Sequence, residues 1–139
     1  MNLLALDIAT QTGWCNNDGF GTWKMKPKTR IVEFYNHLDM MFINNRPDLV
    51  VYEFPAGRFT TPIMTESELI GILKYLCAIN DIQFQGYAAT AIKKHVTGKG
   101  NAKKQQVMDA VIAKYNVTPK NYDEADAIAL WNMAMRETL

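Results

Sequence analysis

The sequence predicts a single α/β domain of 139 residues in which helices flank a mixed five-stranded sheet. Short apolar runs separated by turn signals near the amino terminus predict three antiparallel strands. Alternating strand and helix patterns follow, and they predict parallel pairing through right-handed crossovers. Helical spacing of apolar residues dominates the last third of the chain.

The first three strands are predicted over residues 3–8, 12–15 and 19–24, with Asp18-Gly19 as the turn between the last two. The second helix begins either at Pro62 or at Thr65, where Thr65 and Glu68 fit a capping box. The other predicted elements are a helix over 29–45, a strand over 49–53, a loop over 54–62, a strand over 82–85 and helices over about 90–96, 102–115 and 123–137.

The composition excludes several protein classes. Two cysteines, Cys15 and Cys77, provide neither a disulfide framework nor a zinc-ligand spacing. No apolar run reaches the roughly 18 residues that would cross a bilayer. The amino-terminal segment contains an acid within its apolar stretch and no preceding basic region, which is untypical of a secretory signal. We therefore expect an intracellular protein with no membrane partner.

The formal net charge of +1 conceals an uneven distribution of cations. Clustered lysines favour a phosphate-rich partner, although solvated basic faces are an equal alternative at this stage. The two clusters are Lys24, Lys26, Lys28 and Arg30, and Lys93, Lys94, His95, Lys99, Lys103 and Lys104.

Four acidic residues stand out by their positions. Asp7 lies inside the first apolar strand, where a charge is costly unless it is paired, hydrogen-bonded or bound to metal. Glu53 ends the fourth strand, and the carboxyl ends of adjacent parallel strands meet at one edge of a sheet. Asp123 and Asp126 are three residues apart on a predicted helix and share one face.

Four converging carboxylates would repel one another unless cations bound them. Mg²⁺ prefers oxygen ligands, and two such ions can promote phosphodiester hydrolysis. Each acid also has a plainer interpretation: Asp7 in a salt bridge, Glu53 as a strand end, and Asp123 with Glu124 as first-turn acids that favour the helix dipole. Residues 123–126 spell a helicase-like motif, but no phosphate-binding loop accompanies it, and we reject that interpretation.

The order of these segments resembles the RuvC-type Holliday junction resolvases of the RNase H-like superfamily. The resembling segments are LALDI at 4–8 with TGW at 12–14, LVVYE at 49–53, the basic segment IKKHVTGKGNAKKQQV at 92–107, and DEADAIAL at 123–130. The first two are weak alone, whereas the basic segment and the final pair of acids, in this order and separation, are specific.

The resemblance implies an RNase H-like fold with Asp7, Glu53, Asp123 and Asp126 as catalytic metal ligands. It implies two Mg²⁺ ions per active site, with Mn²⁺ able to substitute, and water as the nucleophile without a covalent enzyme intermediate. It also implies a homodimer that nicks two opposing strands of a four-way DNA junction. The short chain is compatible with a compact phage version acting in a bacterial host.

The basic segment is the predicted DNA-binding surface. Gly98 and Gly100 allow a tight turn, and Asn101 is predicted to cap the following helix. Cations in the first turn of a helix oppose its dipole, so lysines there make more sense if phosphate binds. A flexible basic turn is the alternative. The predicted backbone contacts are Lys99, Lys103 and Lys104, with Lys93 and Lys94 as further candidates.

Aromatic residues after Glu53 provide a last candidate feature. The resemblance implies an aromatic side chain that wedges into the junction centre, and Phe54 or Phe59 could serve, although Phe54 could equally pack in the core. The competing functions are a nuclease for RNA–DNA hybrids or flaps and a non-catalytic junction-binding module on the same fold.

Overall fold

The computed structural model describes residues 1–57 and 60–138, which contain five strands and five α-helices. The strands are β1 (Leu3–Asp7), β2 (Thr12–Cys15), β3 (Phe20–Trp23), β4 (Leu49–Glu53) and β5 (Gln83–Tyr87). The helices are α1 (Arg30–Asn44, after a short 3₁₀ turn at Pro27–Thr29), α2 (Thr61–Ile79), α3 (Ala89–Thr97), α4 (Lys104–Tyr115) and α5 (Tyr122–Thr138).

The strands form one mixed sheet in the order β3-β2-β1-β4-β5. The first three strands are antiparallel neighbours, while β1 pairs with β4 and β4 pairs with β5 in parallel. The predicted five-stranded mixed sheet is therefore confirmed. In the β1–β4 register Leu6 lies beside Tyr52, so the next residues, Asp7 and Glu53, emerge side by side at the same edge.

Helices cover both faces of the sheet, and the alternation of each strand assigns its residues to one face or the other. Leu4 and Leu6 of β1 pack in the core beneath α1 and α2. Leu3 and Ala5 pack in the other core, beneath α3, α4 and α5. Since side chains alternate with a period of two, Asp7 continues the series of Leu3 and Ala5 and faces α5.

Some predicted boundaries are wrong. The structure starts α2 at Thr61, so Thr65 and Glu68 lie inside the helix and are not a capping box. Thr60 is the N-cap and Pro62 occupies the first turn, where a residue without an N–H is tolerated.

Two other elements start later than the sequence predicts. The N-cap of α4 is Lys103 rather than Asn101, and its backbone N–H donates to Oε1 of Gln106 at 2.8 Å. The last strand of the sheet runs from Gln83 to Tyr87, and Ile82, just before it, is buried among the residues beneath α1 and α2. Within the described residues, no helix combines the length and apolar character needed to span a bilayer.

Candidate active site

Asp7 and Glu53 lie side by side because each is the last residue of its strand and follows alternate residues that face α5. On β4, Leu49 and Val51 belong to the core beneath α5, and Glu53 continues that series by two residues. Asp7 does the same on β1. The adjacent parallel strands thus place two carboxylates at one sheet edge, on the side that α5 covers.

Helix α5 brings the other two acids over this edge. It packs along β1 and β2, and the indole N–H of Trp131 donates to the carbonyl oxygen of Leu3 at 3.0 Å. The first turn crosses β2 at Gly13, whose register partner on β1 is Asp7. A Cβ on Gly13 would overlap the backbone carbonyl of Asp123, so the absence of a side chain lets the helix approach this closely.

Glu124 anchors this first turn and is a residue whose role sequence reasoning missed. Its carboxylate is only 3% exposed and accepts hydrogen bonds from the backbone N–H of Lys120 at 2.9 Å and from Oγ1 of Thr22 at 2.7 Å. The sequence analysis interpreted it as an ordinary first-turn acid. Neighbouring helical residues point about 100° apart. Glu124 therefore faces β3 and not the pocket, and it fixes the start of the helix that carries Asp123 and Asp126.

The four carboxylates interact strongly. Burial raises the pKa of Asp7 well above its usual value, and the charges of Asp126, Glu53 and Asp123 raise it further. Burial also raises the pKa of Asp126 to about 7, aided by the charges of Glu53 and Asp123. Burial raises the pKa of Glu53 as well. The predicted acids therefore lie close enough for the charges of Asp126, Glu53 and Asp123 to act on Asp7, and this proximity disfavours ionisation of the whole group.

Two lysines of the predicted basic segment line this pocket. Lys93 of α3 and Lys104, the first residue of α4, border a cavity of about 140 Å³ together with Glu53 and Asp126. Both lysines oppose the rise in the pKa of Asp126, and Lys93 opposes that of Glu53. The cavity therefore combines carboxylates with cations that can face a phosphate oxygen.

The other predicted lysines lie farther from the acids. Lys99 borders a separate cavity of about 400 Å³ between α3 and α4, beside Gln106. Lys94 and Lys103 are exposed and line neither cavity. The turn that connects the two helices has Gly98 at φ 87°, a left-handed conformation that favours glycine, as expected from the sequence.

The chemistry of the pocket fits a hard divalent cation. Its candidate ligands are carboxylate oxygens alone, the donors that Mg²⁺ and Mn²⁺ prefer. Within residues 1–57 and 60–138, no three His, Cys, Asp or Glu side chains are arranged as they stand to hold a metal ion. The carboxylates thus share a pocket without converging on one point, and the repulsion that raises the pKa of Asp7 is what a bound cation would relieve.

A fifth acid, Glu66 of α2, lies close enough to Glu53 for that charge to raise its pKa, although partial burial is the larger cause. From the sequence, Glu66 is interpreted as an ordinary first-turn acid, and its position on a helix gave no signal of this proximity.

Of the two aromatic candidates after β4, only Phe54 belongs to the residues that the structure describes. Phe54 is 48% exposed, so the alternative that it packs in the core is wrong. Its ring meets that of Tyr52 edge-on at 5.9 Å and lies against Gly86, where a Cβ would overlap the ring. Phe59 lies outside the described residues. The wedge role of either residue stays a prediction.

The raised pKa of Asp126 predicts a pH dependence of stability in the presence of chelator. Because the folded state holds this proton up to pH about 7 while the unfolded carboxyl releases it near its usual 3.8, the fold loses stability as the pH rises between those values. Asp126→Asn should remove this group's contribution while those of Asp7 and Glu53 remain, so wild type should lose up to about 4 kcal/mol more than the variant across this window. Urea unfolding at several pH values measures the difference. Asp109→Asn, at an exposed position on α4, is the matched control. Parallel pH profiles of the unfolding free energy for wild type and Asp126→Asn would contradict the prediction.

Comparisons with known proteins complete the description of the site. The sequence model of the family described as "Crossover junction endodeoxyribonuclease RuvC" matches residues 15–133. Proteins of that name from Prochlorococcus marinus subsp. pastoris and Alkaliphilus metalliredigens are each 32% identical to this chain, over 104 and 110 residues. These alignments cover 73% and 77% of this chain and 66% and 67% of the relatives, so the chain matches about two thirds of their length.

Solved structures share the fold. T. thermophilus RuvC in complex with a Holliday junction substrate superposes with a TM-score of 0.83 at 18% identity, covering 99% of this chain and 96% of that one. The yeast mitochondrial Holliday junction resolvase Ydc2 gives 0.67 at 13% identity, covering 96% and 77%. The predicted RNase H-like fold is confirmed. The family match begins after Asp7, whereas the structural match includes nearly the whole chain.

Proposed function

Because the chain belongs to the RuvC family of crossover junction endodeoxyribonucleases, we propose that it is a structure-selective DNA endonuclease that resolves four-way junctions by paired nicks. The observation that carries the proposal is the pocket itself. Four carboxylates meet at the carboxyl edge of β1 and β4, two lysines border them, and burial and mutual repulsion hold the pKa of Asp7 far above its usual value. Such a site matches divalent cations and a phosphodiester.

Asp7, Glu53, Asp123 and Asp126 are the proposed metal ligands. Two Mg²⁺ ions, for which Mn²⁺ can substitute, would supply Lewis acidity and lower the pKa of a nucleophilic water. The charges of the other three acids all raise the pKa of Asp7, which supports the proposal that it serves both ions. Lys93 and Lys104 border the cavity beside Glu53 and Asp126 and would stabilise the charge that develops on the phosphate.

The remaining basic residues would hold DNA around this centre. Lys94, Lys99 and Lys103 flank the connection between α3 and α4, and we propose that they bind the backbone through ionic contacts. The exposed ring of Phe54 is available to stack on a base next to the pocket, and Phe59 is the second candidate.

Paired nicks require two active sites. The described residues provide one pocket of this kind, so we propose that the protein acts as a homodimer in which each subunit nicks one of two opposing strands. We propose that the protein acts on branched DNA inside a cell, in the cytoplasm of a bacterium or of a phage-infected bacterium.

The test is a substrate panel of labelled four-way junction, linear duplex, flap and RNA–DNA hybrid, each with Mg²⁺, Mn²⁺ or chelator. We expect cleavage of the junction in preference to the other substrates and none in chelator. Faster cleavage of the hybrid would overturn the proposal in favour of a hybrid nuclease, and binding without cleavage under every metal condition would favour a junction-binding module.

A further inference from the structure

The first basic cluster of the sequence lies beside the carboxylates, on the side opposite Lys93 and Lys104. A cleft of about 490 Å³ runs along the end of β3 and is bordered by Gln11, Thr22, Lys24, Lys26, Asn121 and the proposed metal ligand Asp123. The cavity that contains Lys93 and Lys104 instead reaches Glu53 and Asp126. The acids thus stand between two lysine-bordered openings.

The backbone holds both lysines of the cleft toward solvent on one face. The chain stays extended beyond β3, where buried and exposed residues alternate. Trp23 and Met25 are only 6% and 3% exposed, whereas Lys24 and Lys26, which follow them in turn, are exposed. Side chains of an extended segment alternate, so the two lysines project from the same side, about 7 Å apart along the chain. That separation is close to the spacing of successive phosphates in an extended single strand.

This segment is fixed rather than free. Gln11 forms two hydrogen bonds with the backbone of Met25: its Oε1 accepts from the N–H at 2.6 Å and its Nε2 donates to the carbonyl at 3.2 Å. The backbone N–H of Lys26 donates to Oε2 of Glu33 at 2.8 Å. The same oxygen of Glu33 also accepts from Oγ1 of Thr29 at 2.7 Å. This carboxylate at the cleft is therefore engaged by neighbouring donors.

The basic surface continues past the cleft. A second cavity, of about 480 Å³, shares Thr22, Lys24 and Asn121 with the first and extends to Lys120. Lys26, Lys24 and Lys120 therefore follow one path beside the start of α5. The path passes Asp123, the outermost of the four acids.

From this arrangement, and resting on the proposed function, we infer that the cleft bordered by Lys24 and Lys26 is a second phosphate-binding site, which holds the DNA backbone on the far side of the scissile phosphate from Lys93 and Lys104. A strand that crosses the carboxylates must leave the pocket on this side. The cleft offers the ammonium groups of Lys24 and Lys26, which are donors typical of sequence-independent backbone contacts. The alternative is that these lysines only prevent the edge strand β3 from pairing with strands of other chains. Their removal would then leave DNA binding unaffected.

The test compares Lys24→Gln/Lys26→Gln with Lys74→Gln/Arg136→Gln, which removes the same charge elsewhere. Lys74 lies over Phe84 near the start of β5, and Arg136 is exposed ten residues after Asp126 on α5, or about 15 Å away along the helix. Binding of a four-way junction is measured by fluorescence anisotropy between about 50 and 200 mM salt, in an Asp7→Asn background that prevents cleavage.

We expect the cleft variant to bind about tenfold or more weakly, and its log–log salt slope to flatten by about two per protomer, since each lost phosphate contact removes about 0.9 from the slope. Lys24→Arg/Lys26→Arg, which keeps both charges, should restore the slope. The control pair should match the parent in both affinity and slope.

Ethylation interference locates the contacts. Ethylation of phosphates on one side of the scissile position should weaken junction binding by the parent protein. Binding by the cleft variant should not change when the same phosphates are ethylated. An unchanged slope with an unchanged interference pattern would overturn the inference and leave the lysines as protectors of the sheet edge. That outcome is distinct from failure of the proposed function, which shows in the wild-type protein as faster cleavage of the hybrid or as binding without cleavage.

Discussion

Asp7→Asn should reduce cleavage of a four-way junction by about 10³-fold or more while leaving junction binding intact. Burial raises the pKa of Asp7, and each of the other three acids raises it further. An amide is isosteric but cannot ionise, so it would weaken cation binding among the carboxylates. Single-turnover cleavage and anisotropy binding measure the two effects separately.

The same substitution should also stabilise the fold in chelator, because it removes a buried carboxyl that repels its neighbours. Asp109→Asn, on the exposed face of α4, should change neither cleavage nor stability appreciably. A variant Asp7→Asn that cuts at more than about a tenth of the wild-type rate would show that the reaction does not depend on this carboxylate.

Gly13→Ala is expected to damage the site through the backbone. The added Cβ would overlap the carbonyl of Asp123 and approach the backbone nitrogen of Glu124 to 3.0 Å, and none of these atoms belongs to a flexible side chain. The first turn of α5 must therefore move away from β2 and take Asp123 and Asp126 with it. We expect a loss of about 1–3 kcal/mol in unfolding free energy and a fall in cleavage of about 100-fold, since small displacements of catalytic groups have effects of that size.

Gly71→Ala is the matched control, because its Cβ would meet nothing within 4 Å on the exposed side of α2. Replacing glycine in an exposed helix interior should raise stability by about 0.5–1 kcal/mol and leave cleavage unchanged. If Gly13→Ala kept both wild-type stability and wild-type cleavage, the close approach of α5 to β2 would not be required for the site.

The sequence was sufficient to predict the sheet and the location of the acids because both follow from short-range patterns. Strand patterns are local, and they predicted Glu53 at the end of β4 and Asp7 inside the first strand, which in the structure ends at Asp7. The spacing of Asp123 and Asp126 is likewise visible within one turn of helix. Which strands are neighbours is not local, but parallel crossovers restricted the choices enough to bring these ends together.

Features that depend on long-range contacts were not predictable in this way. Glu124 bonds Thr22, which is 102 residues away, and the bare sequence does not distinguish it from a surface acid. The proximity of Glu66 to Glu53 depends on how α2 lies over the sheet. The predicted caps of α2 and α4 failed because several polar residues near each start could serve, and packing selected among them.

The basic clusters show the same division. Composition identified both groups of lysines, but only the fold separates Lys93 and Lys104, which border the acids, from Lys94 and Lys103, which do not. It also places Lys24 and Lys26 next to Asp123, although 97 residues separate Lys26 from that acid in the chain.

We propose above all that these carboxylates form a metal-dependent centre that resolves junctions. A cleavage assay tests this proposal most directly when each of the four strands of an immobile junction is labelled in turn. We expect Mg²⁺-dependent nicks at symmetric positions in two opposing strands, absent with chelator and with Asp7→Asn. Nicks that persist in chelator, or that fall in a single strand or at unrelated positions, would contradict it.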